Sequence, residues 1–363
     1  RAWLLAKALS RVYDVEIIGT SRKGGVWAPM AHSKIPVKEF MWDRYPKFSR
    51  VKKNILDAID GDLILASKLM PTSFGIGLQK KYSSGKPLIV DIDDWELGFF
   101  YHSGFWGGVG RFLNFSNPNG LPYVWRVERL VGEADAVSVS NRFLQKKFKG
   151  ALLPHCRDTS VLDPQKFNPD EMKERIGLAD KKVVMFLGTP RPHKGLDDLL
   201  AAFKKIEDLN VKLVIIGAEN QQEFLKRVDH SIRESVVVLP KTPFQKLPEL
   251  LSAADILAIP QRRTSDSVGQ IPARLFDAMS MAKPIIATRV SDIPEVLDNC
   301  GYLVDPNKPS QLADAIKYIL NHSDEARVKG DAARARCRQK YDIHNLESGL
   351  SGLIEQVIVK KAN

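Results

Sequence analysis

Short apolar, β-branched runs alternate with helix-patterned stretches along most of the chain, and this alternation narrows the possible folds more than any other feature. In the second half the runs are Val183–Leu187, Lys212–Gly217, Ser235–Leu239, Asp255–Ile259, Pro284–Thr288 and Gly301–Val304. Helical patterns fall between and after them at 195–207, 220–228, 246–253, 271–282, 292–298 and 309–321. The first half reads the same way, with runs at Val15–Ile18, Asp62–Ser67, Pro87–Ile92 and Asp135–Val139 and helical stretches at 51–60, 73–81 and 122–133. Continuous apolar runs suit strands covered on both faces of a parallel sheet. Strand–helix alternation then implies βαβ units and doubly wound sheets. The expectation is an α/β chain of two Rossmann-like domains facing a cleft.

At 363 residues the chain is long enough for two such domains. Residues 150–181 carry Pro154, Pro164 and Pro169 and then a charged helix, a linker composition that puts the boundary near residue 155. The expected division is 1–154, 155–340 and a last helix at 341–363, which the family architecture named below would carry back to the first domain. Residues 1–9 read as a helix, and the strand and glycine-rich turn that would precede it are expected upstream of Arg1. Cys156, Cys300 and Cys337 are far apart and support neither a disulfide framework nor a zinc site. A cytoplasmic protein, peripheral on the inner face of the membrane at most, is the expectation. Lys and Arg number 54 against 43 Asp and Glu, a net charge of +11 that favours anionic partners. No zinc-finger or aromatic RNA-binding pattern accompanies it, so phosphate esters and an acidic membrane surface rank above nucleic acid.

The stretch LGTPRPHKG carries the first candidate site. A strand stops at Gly188, a polar loop presents Arg191, His193 and Lys194, and Gly195 opens a helix. Helix N-termini and outward N–H groups suit a diphosphate; an ordinary βα turn with solvated cations fits as well. In the first half, Asp91-Ile92-Asp93-Asp94-Trp95 follows a buried strand. Asp93 and Asp94 read as groups that orient or deprotonate an acceptor, as an oxygen cluster for a divalent metal, or as a helix cap. The aromatic stretch 95–115, with Trp95 and His102, reads as an acceptor pocket, a membrane-facing surface or core packing.

The second half resembles the retaining glycosyltransferases of family 4, also called group 1, which have the GT-B architecture. The resemblance rests on Gly188 followed by Lys194-Gly195, on KLVIIG at 212–217, and on FQKLPELLSAADILAIP at 244–260. The segments FDAMSMAKPIIATRVSDIPEVL at 276–297 and GYLVDP at 301–306 complete it. Two departures stand out. The family pairs two glutamates; Asp277 falls at the second position and Gly269 at the first. Thr189 stands where the family often has arginine.

The resemblance implies a retaining, hexosyltransferase-type enzyme that moves a sugar from a nucleoside diphosphate-sugar to the hydroxyl of a saccharide or lipid-linked acceptor. Cell-envelope polysaccharide or glycolipid synthesis is the implied setting. It implies no cofactor and, with no Asp-x-Asp pair at a matching place in the second half, no metal. Gly188, Arg191, Lys194, Arg274 and the N–H groups of Gly269, Gln270 and Ile271 would bind the donor diphosphate. Asp277 would take the donor ribose, Asp93 and Asp94 the acceptor hydroxyl, and Asp158 would hold the hinge. Cys156 reads as a packing residue. With a carboxylate missing at Gly269, a non-catalytic sugar-nucleotide-binding protein stays open, as does a GT-B nucleotide-sugar epimerase.

Overall fold

The computed structural model describes the chain except for residues 23, 26–29, 31–32, 101–109, 209 and 363, and the side chain of residue 362. It divides into two compact units. The first takes Arg1–His155, Val268–Gln270 and Ile343–Asn363; the second takes Cys156–Ser267 and Ile271–Asp342.

The second unit is built on a six-stranded parallel sheet. Its strands are β7 (Lys182–Leu187), β8 (Val211–Ile216), β9 (Val236–Leu239), β10 (Ile256–Ile259), β11 (Ile285–Thr288) and β12 (Tyr302–Val304), in the order β12-β11-β10-β7-β8-β9. Alternate residues of a strand point to opposite faces. Accordingly Val183, Met185, Leu257 and Ile259 enter one core cluster, and Val184, Phe186, Ile256 and Ala258 enter the other. Helices cover both faces, which is why the strands read as unbroken apolar runs. The chain starts at β7, winds out to β9, and returns to the other side of β7 at β10. The order therefore reverses between β7 and β10, where doubly wound sheets take their ligands beyond the strand carboxyl ends.

The first unit holds a four-stranded parallel sheet in the order β3-β4-β5-β6, with β3 at Ile64–Ser67, β4 at Leu88–Ile92, β5 at Ala136–Val139 and β6 at Ala151–Leu152. A separate parallel pair joins β1 (Ile17–Ser21) to β2 (Val37–Met41). All of β4 is buried, so the turn after it leaves the centre of the sheet. The helix Ala2–Leu9 packs against the C-terminal helix Ile343–Ala362. Leu5, Ala8 and Leu9 are buried on one, and Leu346, Leu350, Ile354 and Val357 on the other, at the spacing of a single helix face.

Three expectations about elements change. The helix expected at 271–282 begins at Ala273, with Pro272 at its N-cap; proline has no N–H and fits the first turn only. The stretch 73–81 is a π-helical turn, Pro71–Gly75, running into the helix Ile76–Ser84. The strand β2 and the short helix Arg142–Phe148 were not expected. β2 is largely exposed, so its sequence shows no apolar run.

Candidate functional site

The reversal point of the second unit is shaped by close backbone approach. Gly188 ends β7 at φ 122 while its N–H still donates to Ile216 O at 2.8 Å. The loop turns through the short helix Pro192–Lys194 and reaches Gly195 at φ 69. A Cβ on Gly195 would lie 1.6 Å from Pro260 O, so the loop presses directly on the end of β10. Arg262 fastens the contact. Its N–H donates to His193 O at 2.8 Å, and its guanidinium forks onto Asp198 at 2.8 and 2.7 Å. His193 is buried with Nδ1 2.9 Å from Asp266 Oδ2. Burial, helped by Lys194, Arg191 and Arg274, lowers the imidazole below its usual value against the pull of Asp266.

Lys194 and Arg274 converge on Gly188. A Cβ there would lie 3.1 Å from Lys194 Nζ and 3.3 Å from Arg274 Nη1, so only glycine leaves the space between them open. Arg274 is 6% exposed. Its Nη1 donates to Leu187 O at 2.8 Å, and its guanidinium carbon lies 4.8 Å from the centre of the Phe186 ring. Nε and Nη2 are buried and have no partner among the described residues. Burial lowers Arg274 to about 10. Burial and then the charges of Arg274 and Arg191 lower Lys194 to about 8. Among the described residues no carboxylate pairs with Arg191, Lys194 or Arg274. A cationic patch with one buried, under-satisfied guanidinium is chemically suited to a multiply charged anion.

Gly269, Gln270 and Ile271 were also expected at the donor diphosphate, through their N–H groups. Ile271 is buried in the apolar core of the second unit. Gly269 and Gln270 belong to the first unit, where Gly269 O accepts from Asn141 Nδ2 at 3.1 Å and Gln270 Nε2 donates to Asp94 Oδ1 at 2.8 Å. A Cβ on Gly269 would lie 2.6 Å from Trp95 Cβ, so this backbone leaves no room for the carboxylate that the family places there.

Asp277 is 3% exposed and ion-paired through Oδ1 to Arg157 Nε, while Arg157 Nη2 reaches Oδ2 at 3.4 Å. Arg157 also donates to Cys156 O at 2.8 Å and Ala273 O at 2.9 Å. Cys156 is itself buried. The tie to Arg157 escaped the sequence analysis because the two residues lie 120 positions apart. In the loop after Arg157 both Asp158 and Asp342 accept hydrogen bonds. Asp158 makes a local turn with Ser160, and it is Asp342 that takes the Thr159 N–H at 3.2 Å and the Thr159 hydroxyl at 2.5 Å.

In the first unit the turn after β4 is a nest of charge. Asp91 is fully buried, forked by Arg1 at 2.9 Å on each oxygen and bonded by Ser138 Oγ at 2.7 Å. Asp93, Asp94 and Glu96 surround Lys68, whose Nζ lies 3.4, 2.7 and 3.1 Å from them. Burial by itself would raise the Asp93 carboxyl, but Lys68, His155 and Arg1 outweigh it and hold it below its usual value. Burial raises Glu96, with Asp94 and Asp93 adding to it against Lys68. The three carboxylates could supply metal oxygens within 4.8 Å of one another; the Lys68 ammonium is in ion-pair contact with all three. Lys68 carried no sequence signal, since nothing before folding relates it to residue 93.

Trp95 is packed rather than open. Its Nε1 donates to Glu128 Oε2 at 3.2 Å, its ring centre lies 5.4 Å from that of Phe143, and Lys147 Nζ sits 5.0 Å from the ring. His102 lies outside the described residues.

Residues 181–322 match the family model described as Glycosyl transferases group 1. A GDP-mannose-dependent alpha-(1-6)-phosphatidylinositol monomannoside mannosyltransferase of Mycolicibacterium smegmatis is 29% identical over 224 residues, which are 57% of this chain and 59% of that protein. This chain thus spans well under two thirds of that relative's length. The structure of Anabaena HepE in complex with UDP superposes with a TM-score of 0.75 at 17% identity, covering 98% of this chain and 96% of that one. WaaG, a glycosyltransferase involved in lipopolysaccharide biosynthesis, gives 0.71 at 16% identity over 97% and 94%. These likenesses establish the fold as GT-B, and residues 181–322 match a group 1 glycosyltransferase domain.

Proposed function

We propose that the chain transfers a sugar from a nucleoside diphosphate-sugar to an acceptor hydroxyl, with retention and without a metal. The observation that carries the donor half is Arg274: a buried guanidinium with Nε and Nη2 unpartnered, set beside Lys194 at the reversal point of the sheet. As the bond from the anomeric carbon to the β-phosphate oxygen breaks, negative charge grows on that oxygen. Lys194 and Arg274, with the exposed Arg191, neutralise it. The acceptor oxygen bonds to the same face of the anomeric carbon, and its proton passes to the departing phosphate oxygen. Asp93 and Asp94 orient the acceptor hydroxyl. Asp277 is assigned to the ribose through Oδ2, the oxygen more loosely held by Arg157.

Two likenesses support the substrates. HepE was solved with UDP, and the mycobacterial relative is named for GDP-mannose and a phosphatidylinositol mannoside. A lipid-linked acceptor also suits the surface of the first unit. Phe112, Leu113, Phe115 and Trp125 are exposed there, close in sequence to the exposed Arg111, Arg126 and Arg129. No described helix is long and apolar enough to cross a membrane, so the reading is attachment at an acidic membrane face. Binding to liposomes of acidic lipid at low salt, lost at high salt, is expected; no binding at low salt removes this part.

The closed position at Gly269 favours one rival, a protein that binds sugar nucleotides without transfer. Incubation with a panel of nucleotide sugars separates the two. Slow release of free nucleotide, with product of retained configuration when acceptor is present, supports transfer. Binding without release under every acceptor supports the rival, and an inverted product removes the retaining mechanism.

A further inference from the structure

Lys68 follows β3, which pairs in parallel with β4 in the register Ser67↔Asp91. The turn after β3 therefore opens beside the acidic turn after β4. Lys68 has φ 77, a left-handed conformation that is unfavourable for a residue with a Cβ and that marks a site held in place by its surroundings. Its N–H donates to Asp91 O at 2.8 Å, and its carbonyl accepts from Met70 N at 2.9 Å. Held so, the ammonium faces Asp93, Asp94 and Glu96 together. Asp94 is fixed from its other oxygen by Gln270. Asp93 Oδ1 is buried and accepts no hydrogen bond among the described residues. One ammonium thus faces three carboxylates whose spacing would satisfy a hard divalent cation.

We propose that Lys68 is a positioning residue, a built-in counter-ion that takes the place of a divalent cation and holds Asp93 and Asp94 together for the acceptor hydroxyl. This rests on the acceptor-side role given to Asp93 and Asp94 above. Lysine supplies a single compact charge, which donates to Asp94 and Glu96 and lies 3.4 Å from Asp93 Oδ1. Neutralising it removes the only cation in contact with all three among the described residues, and their mutual repulsion then favours uptake of a metal.

The test uses the full chain, wild type beside Lys68→Met and Lys68→Arg, with calcium chloride as the probe. Thermal melting and titration calorimetry are run without donor or acceptor. Lys68→Met is expected to gain a saturable, calcium-dependent rise in melting temperature that the wild type and Lys68→Arg lack. Turnover of Lys68→Met without calcium is expected to fall by about tenfold or more, with the donor KM little changed, and to recover with calcium. Lys68→Arg is expected to retain most of it. Calcium binding by the wild type equal to that of Lys68→Met overturns the proposal. So does a folded Lys68→Met that neither gains calcium binding nor loses turnover. Should Lys68→Met fail to fold, Lys68→Arg decides: turnover near wild type supports the proposal, and a folded, inactive Lys68→Arg overturns it. The calcium titrations need no sugar transfer, so they report on Lys68 even where the transferase reading fails. Turnover by wild type alongside a calcium-blind Lys68→Met removes Lys68 and leaves that reading intact.

Discussion

Arg274 is buried without the partners a guanidinium needs. An unmade hydrogen bond at a buried charged group is a cost that the free protein carries, and an incoming phosphate relieves it. Replacing Arg274 with methionine removes both the cost and the ligand. Arg274→Met should therefore be no less stable than wild type by more than about 1 kcal/mol in the absence of nucleotide, since an apolar isostere of a poorly satisfied charge is often neutral or better. Its nucleotide affinity should fall by about 10- to 100-fold, the worth of one or two charge-assisted hydrogen bonds. Chemical denaturation and calorimetric titration with UDP and GDP measure the two effects, and a large loss of stability with unchanged affinity would make Arg274 structural. Lys194 adds a pH signature. Burial and its cationic neighbours put it at about 8 in the free protein, whereas a bound diphosphate favours the ammonium. Binding then takes up a proton above pH 8. Affinity should be flat below that pH and fall by up to about tenfold per unit above it. Folding shows the opposite sign: the folded pKa lies below the unfolded one, so this residue's contribution to stability rises with pH once pH passes 8. Titrations at a series of pH values, with Lys194→Met as the control, test the slope; a flat profile to pH 10 excludes Lys194 as a ligand.

At the scale of elements, the loop between β7 and the helix Leu196–Phe203 has almost no tolerance, because Gly195 faces a backbone oxygen rather than a movable side chain. Gly195→Ala should cost more than about 3 kcal/mol, combining a left-handed φ with a backbone clash. Urea denaturation would show it, and a cost under 1 kcal/mol would mean that the loop moves freely off Pro260. The strands of the second unit were legible because both faces of the sheet are covered and each strand is therefore apolar throughout. β2 was not, since Lys38, Glu39 and Met41 are exposed and leave no pattern to read. The start of the helix at Ala273 was hidden for a different reason: Pro272 reads equally well as a first helical residue or as the stop before it. Of the candidate site, Gly188 and Lys194 could be picked out because glycine, loop and cation sit in a recognisable order, and Arg274 through the family resemblance. Lys68, Arg157 and the tie of Gln270 to Asp94 were invisible, because each depends on a neighbour supplied by a distant part of the chain.

For the whole molecule, the division into units separates what a mutation can reach. The C-terminal helix belongs with the first unit, and its buried face, Leu346, Leu350, Ile354 and Val357, packs where the helix Ala2–Leu9 presents Leu5 and Leu9. Lys194 and Arg274 belong to the second unit, whose two apolar clusters contain none of these residues. Leu350 is 1% exposed, so Leu350→Ala removes buried contacts and leaves a cavity, at a cost of about 2–5 kcal/mol. That cost should fall on the first unit. On the proposed reading nucleotide would bind the folded second unit and stabilise it by mass action, roughly 2.7 kcal/mol at a concentration 100 times Kd. Differential scanning calorimetry of Leu350→Ala with and without UDP or GDP should then resolve two transitions, the lower one insensitive to nucleotide and the upper one raised by it. A single transition in which nucleotide fully restores the Leu350→Ala loss would show that the two units unfold as one.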